Sequence, residues 1–175
     1  VMAQRAAQAA DYFNANAAEW DRLRTLHVDE AVVERALLAA VPEESLGDVL
    51  DIGTGTGRML ELFSGRAQRA VGIDASRAML TLARARLDRL ALANASVRLG
   101  DMYQLPWPDA SFDLAIFHMV LHFADDPAAA VAEAARVLKP DGHLLIADFA
   151  PHELEELRRE HAHRRLGFGE AEVAQ

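Results

Sequence analysis

Asp48-Val49-Leu50-Asp51-Ile52-Gly53-Thr54-Gly55-Thr56-Gly57-Arg58 is the stretch that decides the fold. It begins as a short apolar strand, passes through a glycine-rich turn and continues into a helix from residue 58. Because glycine has no Cβ, the backbone N–H groups of such a turn approach a ligand closely. The order of strand, glycine turn and helix therefore predicts a nucleotide-binding site at the end of a strand.

A second apolar stretch, residues 70–73, leads directly to Asp74. An acid at the tip of the strand that follows a glycine turn is placed to accept hydrogen bonds from two ribose hydroxyls. The glycine spacing then indicates which nucleotide is bound.

The dinucleotide fingerprint Gly-x-Gly-x-x-Gly/Ala does not fit this loop. Counting from Gly53 places Arg58 at the third glycine position, and counting from Gly55 places Leu60 there. No basic residue precedes Arg58 in the loop to pair with a pyrophosphate, so a dinucleotide oxidoreductase is disfavoured. The spacing present is Asp51-x-Gly53-x-Gly55-x-Gly57.

The composition limits the classes of protein. A chain of 175 residues with 51% hydrophobic residues predicts one packed domain, and a net charge of −9 disfavours nucleic acid or an anionic membrane as its main partner. The absence of cysteine excludes disulfides, thiolate nucleophiles and cysteine zinc sites, and it fits a cytoplasmic location. Neither a transmembrane run nor a signal sequence is present. The start at Val1 and the helix-like end at 170–175 suggest a piece of a longer polypeptide.

Strands and helices alternate along the chain, which predicts a parallel sheet covered by helices on both faces. The predicted strands are residues 49–52, 70–73, 96–99, 112–118 and 143–147, with a turn at 139–142 before the last. The predicted helices are residues 3–20, 28–41, a helix from 58, one capped by Ser76, one opened by Asp126-Pro127, and a charged exposed helix at 152–165.

Apolar spacing predicts which face of two helices is buried. The helix after Ser76 is expected to bury Met79, Leu80, Ala83, Leu87 and Leu90. The helix after Pro127 is expected to bury Val131, Ala134, Ala135 and Leu138. His161 and His163 are expected to be solvated helix residues, and Trp107 a packing residue.

The chemistry-bearing residues follow the predicted strands at their carboxyl ends, where parallel sheets bind ligands. These residues are Asp51 and Gly53 after the first strand, Asp74 after the second, Gly100, Asp101 and Met102 after the third, and His118 at the end of the fourth. Their convergence at one edge is stronger evidence than any single motif.

The glycine loop, with Asp74 and Asp101 in register, resembles the cofactor site of class I S-adenosylmethionine-dependent methyltransferases over residues 12–149. The resemblance implies a Rossmann-like α/β fold with parallel strands in the order 3-2-1-4-5, in which strands six and seven are missing here and one sheet edge is exposed. It also implies an N-terminal helical lid or connector at residues 1–41 and a cofactor-binding domain, truncated at its C-terminus, at residues 42–175. The lid is carried by Tyr12-Phe13 and by Ala18-Glu19-Trp20-Asp21.

The same resemblance assigns roles around S-adenosyl-L-methionine, whose product is S-adenosyl-L-homocysteine. Asp51 and the backbone near Gly53 would hold the amino group, and Asp74 would take the ribose hydroxyls. The cofactor is a net cation, so the carboxylates of Asp51, Asp74 and Asp101 suit it. The implied cofactor-binding residues are Tyr12, Asp51, Gly53, Thr54, Gly55, Gly57, Asp74, Ala75, Met79, Gly100, Asp101, Met102 and His118.

His118 and His122 are four positions apart, the spacing of a metal pair on a helix, but no third ligand stands at a matching distance, so no metal is expected. Methyl transfer from a sulfonium needs mainly proximity and alignment, and a general base only for a protonated acceptor. His118 and His122 are the candidates for such a catalytic base.

A sharper resemblance rests on Tyr12–Leu23, on the glycine loop and on the tail His161-Ala162-His163-Arg164-Arg165-Leu166-Gly167-Phe168. These segments are similar to the methyltransferase half of bacterial fusions with an ArsR-type winged-helix repressor, which would bring DNA as a partner through the missing N-terminal domain. Arsenite as acceptor is disfavoured, because arsenic is held by thiolates and this chain has no cysteine. Two functions stay open: methylation of a small molecule, and cofactor sensing by a transcriptional regulator without turnover.

Overall fold

The computed structural model describes residues 12, 15–19 and 29–173. Its centre is one five-stranded sheet in the order β3-β2-β1-β4-β5, and all four strand pairs are parallel. Helices pack on both of its faces, as expected for right-handed crossovers between parallel strands. The predicted fold class and strand order are confirmed.

The strands are β1 Asp48–Ile52, β2 Arg69–Asp74, β3 Ala95–Leu99, β4 Phe112–His118 and β5 Leu138–Ala147. The helices are α1 Glu30–Ala39, α2 Arg58–Ser64, α3 Arg77–Arg89, α4 Pro127–Val137, α5 Glu155–Glu160 and α6 Glu170–Val173. Short 3₁₀ turns occupy Ala17–Glu19 and Leu121–Phe123.

Side-chain caps begin three of the helices. Asp29 accepts from the backbone N–H of Ala31 at α1, Ser76 from Met79 at α3, and Asp126 from Ala129 at α4. These bonds satisfy backbone donors that the first helical turn leaves without partners. The predicted caps of α3 and α4 are therefore confirmed.

Two buried clusters lie on opposite faces of the sheet, because successive residues of a strand point to opposite sides. Leu50 and Ile52 of β1 belong to the cluster that α4 covers, while Val49 belongs to the cluster formed with α1, α2 and α3. Helix α1 contributes Leu37 to that second cluster. Residues on both sides of the expected boundary at residue 41 thus share one core.

The turn predicted at residues 139–142 is present as an irregularity inside β5. Phe112 pairs with Leu138, but the next pair is Leu114 with His143, so the residues between them loop out of the ladder. Asp141 has φ of 66°, and Lys139 pairs with Asp113 at 2.8 Å. Among the described strands, β5 has β4 as its one neighbour.

The helix predicted at residues 152–165 is wrong in extent. Only Glu155–Glu160 is helical, and Ala162, with φ of 57°, leaves the helical conformation. The backbone N–H groups of Arg164 and Arg165 donate instead to the carbonyl of His122. The segment after α5 (residues 161–168, called the tail here) is therefore an ordered loop that packs on the body. His163 is buried within it, contrary to the expected solvated helix residue.

The expected buried faces of α3 and α4 need smaller corrections. Leu90 is 39% exposed, because α3 ends at Arg89 and Leu90 is its C-cap. Helix α4 buries Ala130, Ala134 and Val137, which recur at helical spacing, whereas Ala135 is exposed. Trp107 packs edge-on against Phe112, as predicted.

Part of the predicted N-terminal lid lies outside the described residues, namely Phe13, Trp20, Asp21, Arg22 and Leu23. Where the chain is described, no helix combines the length and the apolar character needed to cross a membrane.

Candidate functional site

The carboxyl ends of the strands meet at one edge of the sheet. The pairs Ile52 with Ile73, Ile52 with Phe117 and His118 with Ala147 bring the ends of β1, β2, β4 and β5 level with one another. Gly100 follows β3 and donates its N–H to the carbonyl of Asp74. The structure therefore brings the predicted residues of all these strand ends to one edge.

The loop between β1 and α2 is held in place by β2. The N–H groups of Gly53 and Thr54 both donate to the carbonyl of Ile73, at 2.9 and 3.0 Å. Gly53, Gly55 and Gly57 have φ of 73°, 54° and 81°, a conformation that side chains with a Cβ rarely adopt. The sequence needs glycine here because the chain must turn sharply from a buried strand into a helix.

Close packing fixes both sides of this loop. A Cβ on Gly53 would lie 2.4 Å from Cγ2 of Val120, in the segment that follows β4. A Cβ on Gly72 would lie 2.5 Å from Oγ1 of Thr54, so the side chain of Thr54 fills the space beside β2. That Oγ1 is buried, and it has no hydrogen-bond partner within the described part of the chain. A buried free hydroxyl in the loop marks a polar position that a bound molecule can satisfy.

Asp74 joins the loop to the start of α3. Its Oδ2 accepts from the N–H of Gly55 at 2.8 Å, and its Oδ1 accepts from the N–H of Ser76 at 2.8 Å. Burial raises the pKa of Asp74, and these backbone hydrogen bonds oppose that shift because they stabilise the carboxylate. Each carboxylate oxygen retains further lone pairs, so Asp74 can accept from two neighbouring hydroxyls as well.

Asp51 and Asp101 differ in their surroundings. Asp51, on β1, is 1% exposed, so its side chain is buried. Asp101 is exposed and accepts from the N–H of Tyr103 at 2.9 Å, which fixes the turn after β3. Together with Asp74 they give the edge a negative rim.

The remaining predicted cofactor contacts flank this rim. Ala75 is exposed at the start of α3, Met79 is 1% exposed beneath it, and Met102 packs against the core beside Leu105. Their contact with a cofactor stays a prediction, as does that of Tyr12.

The two candidate bases occupy different positions. His118 is the half-buried last residue of β4, whereas His122 lies in the 3₁₀ turn Leu121–Phe123 and is 2% exposed. His122 Nδ1 donates to Oδ1 of Asp148 at 2.7 Å. The two residues do not share a helix face, because β4 ends at His118 and the turn begins only at Leu121.

Asp148 is a residue that sequence reasoning missed. It follows β5 directly, as Asp74 ends β2 and Asp101 comes two residues after β3. The position of this acid after the fifth strand could therefore have marked it as a candidate site residue from the sequence. What the sequence did not contain was the fold of the tail that buries this acid.

The tail and the N-terminal segment meet beside these residues. The ring of His163 lies 4.1 Å from that of His122, measured between centroids. The hydroxyl of Tyr12 and Nδ1 of His161 are hydrogen-bonded at 2.8 Å, across 149 positions of the chain. Segments from both ends of the chain thus border the carboxyl edge of β4 and β5. Within the described ranges, no group of three or more His, Asp or Glu residues could hold a metal ion.

The arrangement suits a nucleoside that carries positive charge. It offers a backbone turn for close approach, a carboxylate for paired hydroxyls, and acids at the neighbouring strand ends. The two arginines next to the loop, Arg58 and Arg86, are paired with Glu34 and Glu61. The arrangement also provides an imidazole with a carboxylate partner next to the loop.

Comparisons with known proteins agree with this description. Residues 50–146 match a family model described as a methyltransferase domain. The chain is similar to the uncharacterized methyltransferase YcgJ of Bacillus subtilis, with 38% identity over 104 residues that cover 59% of this chain and 41% of YcgJ. The crystal structure of YcgJ superimposes with a TM-score of 0.74 at 30% identity, covering 81% of this chain and 64% of that one.

Two further matches name a reaction or a ligand. The malonyl-[acyl-carrier protein] O-methyltransferase of Serratia marcescens is 32% identical over 148 residues, which cover 85% of this chain and 55% of that protein. The structure of the DhpI-SAM-HEP complex has a TM-score of 0.66 at 29% identity, covering 86% of this chain and 68% of that one. The chain spans about half the length of the curated relatives named here, or less.

Proposed function

This chain belongs to the methyltransferase domain family that matches residues 50–146, and on that premise we propose that it transfers a methyl group from S-adenosylmethionine to a small-molecule acceptor. The observation that carries the proposal is the hydrogen bond from the Gly55 N–H to Asp74. In this proposal Asp74 binds the ribose hydroxyls from its position against the glycine loop. The arginines beside the loop, Arg58 and Arg86, are paired with Glu34 and Glu61.

S-adenosylmethionine is the cofactor of this chain. Its ribose presents two hydroxyls, which suit Asp74, and its sulfonium and ammonium groups suit the acids Asp51 and Asp101. The orphan hydroxyl of Thr54 offers one more polar contact in the loop. The methyltransferase family and the DhpI structure with bound SAM support the same cofactor.

The protein's own part in the reaction is mainly alignment. The bound cofactor supplies an electrophilic methyl group, and the loop and strand ends hold the acceptor in line with it and keep water away. An acceptor that carries a proton on its attacking atom also needs a base. We place this role on His118 or His122, and Nδ1 of His122 bonds to the carboxylate of Asp148.

A second function deserves a test because the tail, which carries the resemblance to ArsR-type regulator fusions, contacts the candidate site. The ring of His163 lies 4.1 Å from that of His122, and in this alternative that contact passes the state of the site to a neighbouring domain. In this alternative, a cytoplasmic regulator would bind the cofactor or its demethylated product without turnover, and DNA would be bound by a separate winged-helix domain.

Titration calorimetry tests the proposed function. The protein is titrated with S-adenosylmethionine, S-adenosylhomocysteine and NAD. Micromolar binding of the first two and no heat from NAD supports the cofactor assignment. Binding of NAD, or the absence of binding by S-adenosylmethionine and S-adenosylhomocysteine, overturns the assignment.

Turnover separates the two candidate functions. Radiolabelled methyl transfer is measured with a panel of simple phenols, carboxylic acids and amines. Transfer to any member supports the enzyme. Cofactor binding without transfer, together with a change in the proteolytic sensitivity of the tail on binding, supports the sensor.

A further inference from the structure

Asp148 and His122 belong to neighbouring loops at the carboxyl edge of the sheet. Asp148 follows β5 and His122 lies in the turn after β4, and those strands pair up to His118 and Ala147. Two residues before His122, Val120 packs against Gly53 of the cofactor loop. The pair is therefore next to the loop on which the proposed function depends.

The carboxylate of Asp148 fixes both the turn and the ring of His122. Oδ2 accepts from the backbone N–H of His122 at 3.3 Å, while Oδ1 accepts from its Nδ1 at 2.7 Å and from the N–H of Phe149 at 2.8 Å. The side chains of His122 and Asp148 are 3% and 4% exposed. A short, buried hydrogen bond to a carboxylate holds the proton of a neutral imidazole on the bonded nitrogen.

The aromatic surroundings hold the ring in one orientation. Phe123 lies 4.0 Å and Phe149 5.1 Å from the His122 ring, measured between centroids. Among the described residues, no hydrogen bond is made to Nε2 of His122. This nitrogen is therefore the one with a free lone pair.

Several charged and titratable side chains surround the pair of Asp148 and His122. Burial lowers the pKa of His163 to about 3, and the positive form of His122 adds to that shift, so His163 is neutral near pH 7. His152 packs against Phe149, and His161 bonds to Tyr12. Arg164 pairs with Asp125 at 3.6 Å. Asp148 bonds to the His122 ring, and its charge also acts on His163, where it opposes the lowering of the pKa.

We propose that Asp148 is a positioning residue that keeps the proton of neutral His122 on Nδ1, so that Nε2 accepts the proton of the methyl acceptor. This inference rests on the proposed function. As an acceptor O–H or N–H attacks, its electron pair forms the new bond to the methyl carbon, the carbon–sulfur bond breaks, and its electron pair stays on sulfur, which becomes neutral. The acceptor proton passes to Nε2, and the resulting imidazolium is stabilised by Asp148 until the proton is lost to water.

Nitrogen-15 NMR of the protein with bound S-adenosylhomocysteine reads the tautomer of His122 without turnover. The wild type should carry its proton on Nδ1. Asp148→Asn should move the proton to Nε2 or produce a mixture, because an amide can also donate. Asp109→Asn, in an exposed ion pair with Arg136, is the control and should leave the tautomer unchanged. A proton on Nε2 in the wild type, or an unchanged tautomer in folded Asp148→Asn, overturns the proposal.

Activity provides the second readout. With the acceptor panel described above, Asp148→Asn should lose about tenfold to a hundredfold in kcat and shift its pH profile. Removal of a general base costs about a hundredfold to ten-thousandfold, and a residue that only positions the base is expected to cost less. Affinity for S-adenosylmethionine should stay within twofold. An unchanged pH profile and kcat overturn the proposal. If the wild type transfers a methyl group to no member of the panel, the proposed enzyme is contradicted. The NMR measurement of the His122 tautomer then tests the role of Asp148 separately. His122→Gln removes the proposed base. Adding Asp148→Asn to His122→Gln should then cause no further loss of kcat, because Asp148 acts through the imidazole ring.

Discussion

Asp74 concentrates several demands on one side chain. Its two oxygens hold the loop at Gly55 and the start of α3 at Ser76, and under the proposed function they also bind the ribose. Burial raises the pKa of Asp74, and the backbone N–H groups oppose that shift because they stabilise the carboxylate. Structural and ligand-binding roles therefore coincide at this residue.

Asp74→Ala should abolish cofactor binding while the fold persists. Loss of two hydrogen bonds to a charged acceptor, at about 1.5 kcal/mol or more each, corresponds to about a hundredfold loss of affinity. Calorimetry with S-adenosylhomocysteine measures the affinity, and circular dichroism checks the fold. Asp88→Ala removes an exposed carboxylate of α3 and should change neither. Unaltered affinity in Asp74→Ala would refute its role.

His163 should make stability depend on pH. Its pKa is lowered to about 3 in the folded protein by burial, whereas in the unfolded chain it lies near its ordinary value of 6.5. The unfolded state therefore binds the extra proton first as the pH falls. This contribution to stability is complete above pH 6.5 and is lost progressively between pH 6.5 and 3.

Urea unfolding at pH 7.5 and pH 5 tests this prediction. His163→Phe keeps a ring against His122 but cannot titrate, so its midpoint should fall less between the two pH values than that of the wild type. His143→Asn removes an exposed histidine of β5 and should behave as the wild type does. Equal pH dependence in wild type and His163→Phe would contradict the assignment.

At the scale of elements, the loop between β1 and α2 is the most constrained connection. It is bonded to Ile73 and Asp74, and Val120 packs against it. Helix α1 adds a further restraint, because Glu34 binds Arg58, the first residue of α2, through two hydrogen bonds of 2.6 and 2.8 Å. Rigid support of this kind suits a loop that must present its backbone to a ligand.

Two glycines of the same unit should respond in opposite ways to alanine. Gly53→Ala should destabilise the protein by about 1–2 kcal/mol or more, because φ of 73° is left-handed and Val120 occupies the space of the new Cβ. Gly65→Ala meets nothing within 4 Å and has φ of −66°, so it should be neutral or stabilise by up to about 1 kcal/mol. Chemical denaturation measures both. A similar loss in the two variants would show that the loop is not strained as described.

The tail shows why one element could not be predicted from its own sequence. Glu155, Glu156, Arg158, Arg159 and Glu160 give residues 152–165 the pattern of an exposed helix, and that pattern holds for Glu155–Glu160. Beyond it, the carbonyl of His122 and the rings around His163 stabilise a different path. His122 lies about forty positions away in the chain. The local pattern of apolar and charged residues does not predict contacts over that distance.

At the scale of the whole molecule, the strands and their order were readable because their signals are local. Each is a short apolar run next to a glycine, an acid or a helix cap, and parallel pairing follows from the alternation with helices. The strand ends that converge on the site were predictable for the same reason. Asp148 and His163 were not found, since their importance depends on contacts between loops.

Cofactor binding should stabilise the whole domain and not only the loop, because the site joins four of the five strands. At a hundredfold excess over the dissociation constant, a ligand adds about 2.7 kcal/mol, equivalent to about 5–10 °C in Tm for a chain of this size. Differential scanning fluorimetry with S-adenosylhomocysteine should show that rise, and NAD at the same concentration should show none. A shift with NAD alone would point to a different cofactor.

The central place of β1 has a kinetic consequence. It pairs with β2 across 21 positions of the chain, as between Asp48 and Arg69, but with the β4 side across 65, as between Asp48 and Asp113. Closing the longer loop costs about 1 kcal/mol more in chain entropy, so we expect the half-sheet β1-β2-β3 to form before β4 docks. During synthesis on the ribosome, the open edge of β1 would then stay exposed until residue 118 emerges. That interval is when this chain is most vulnerable to mispairing with another nascent strand.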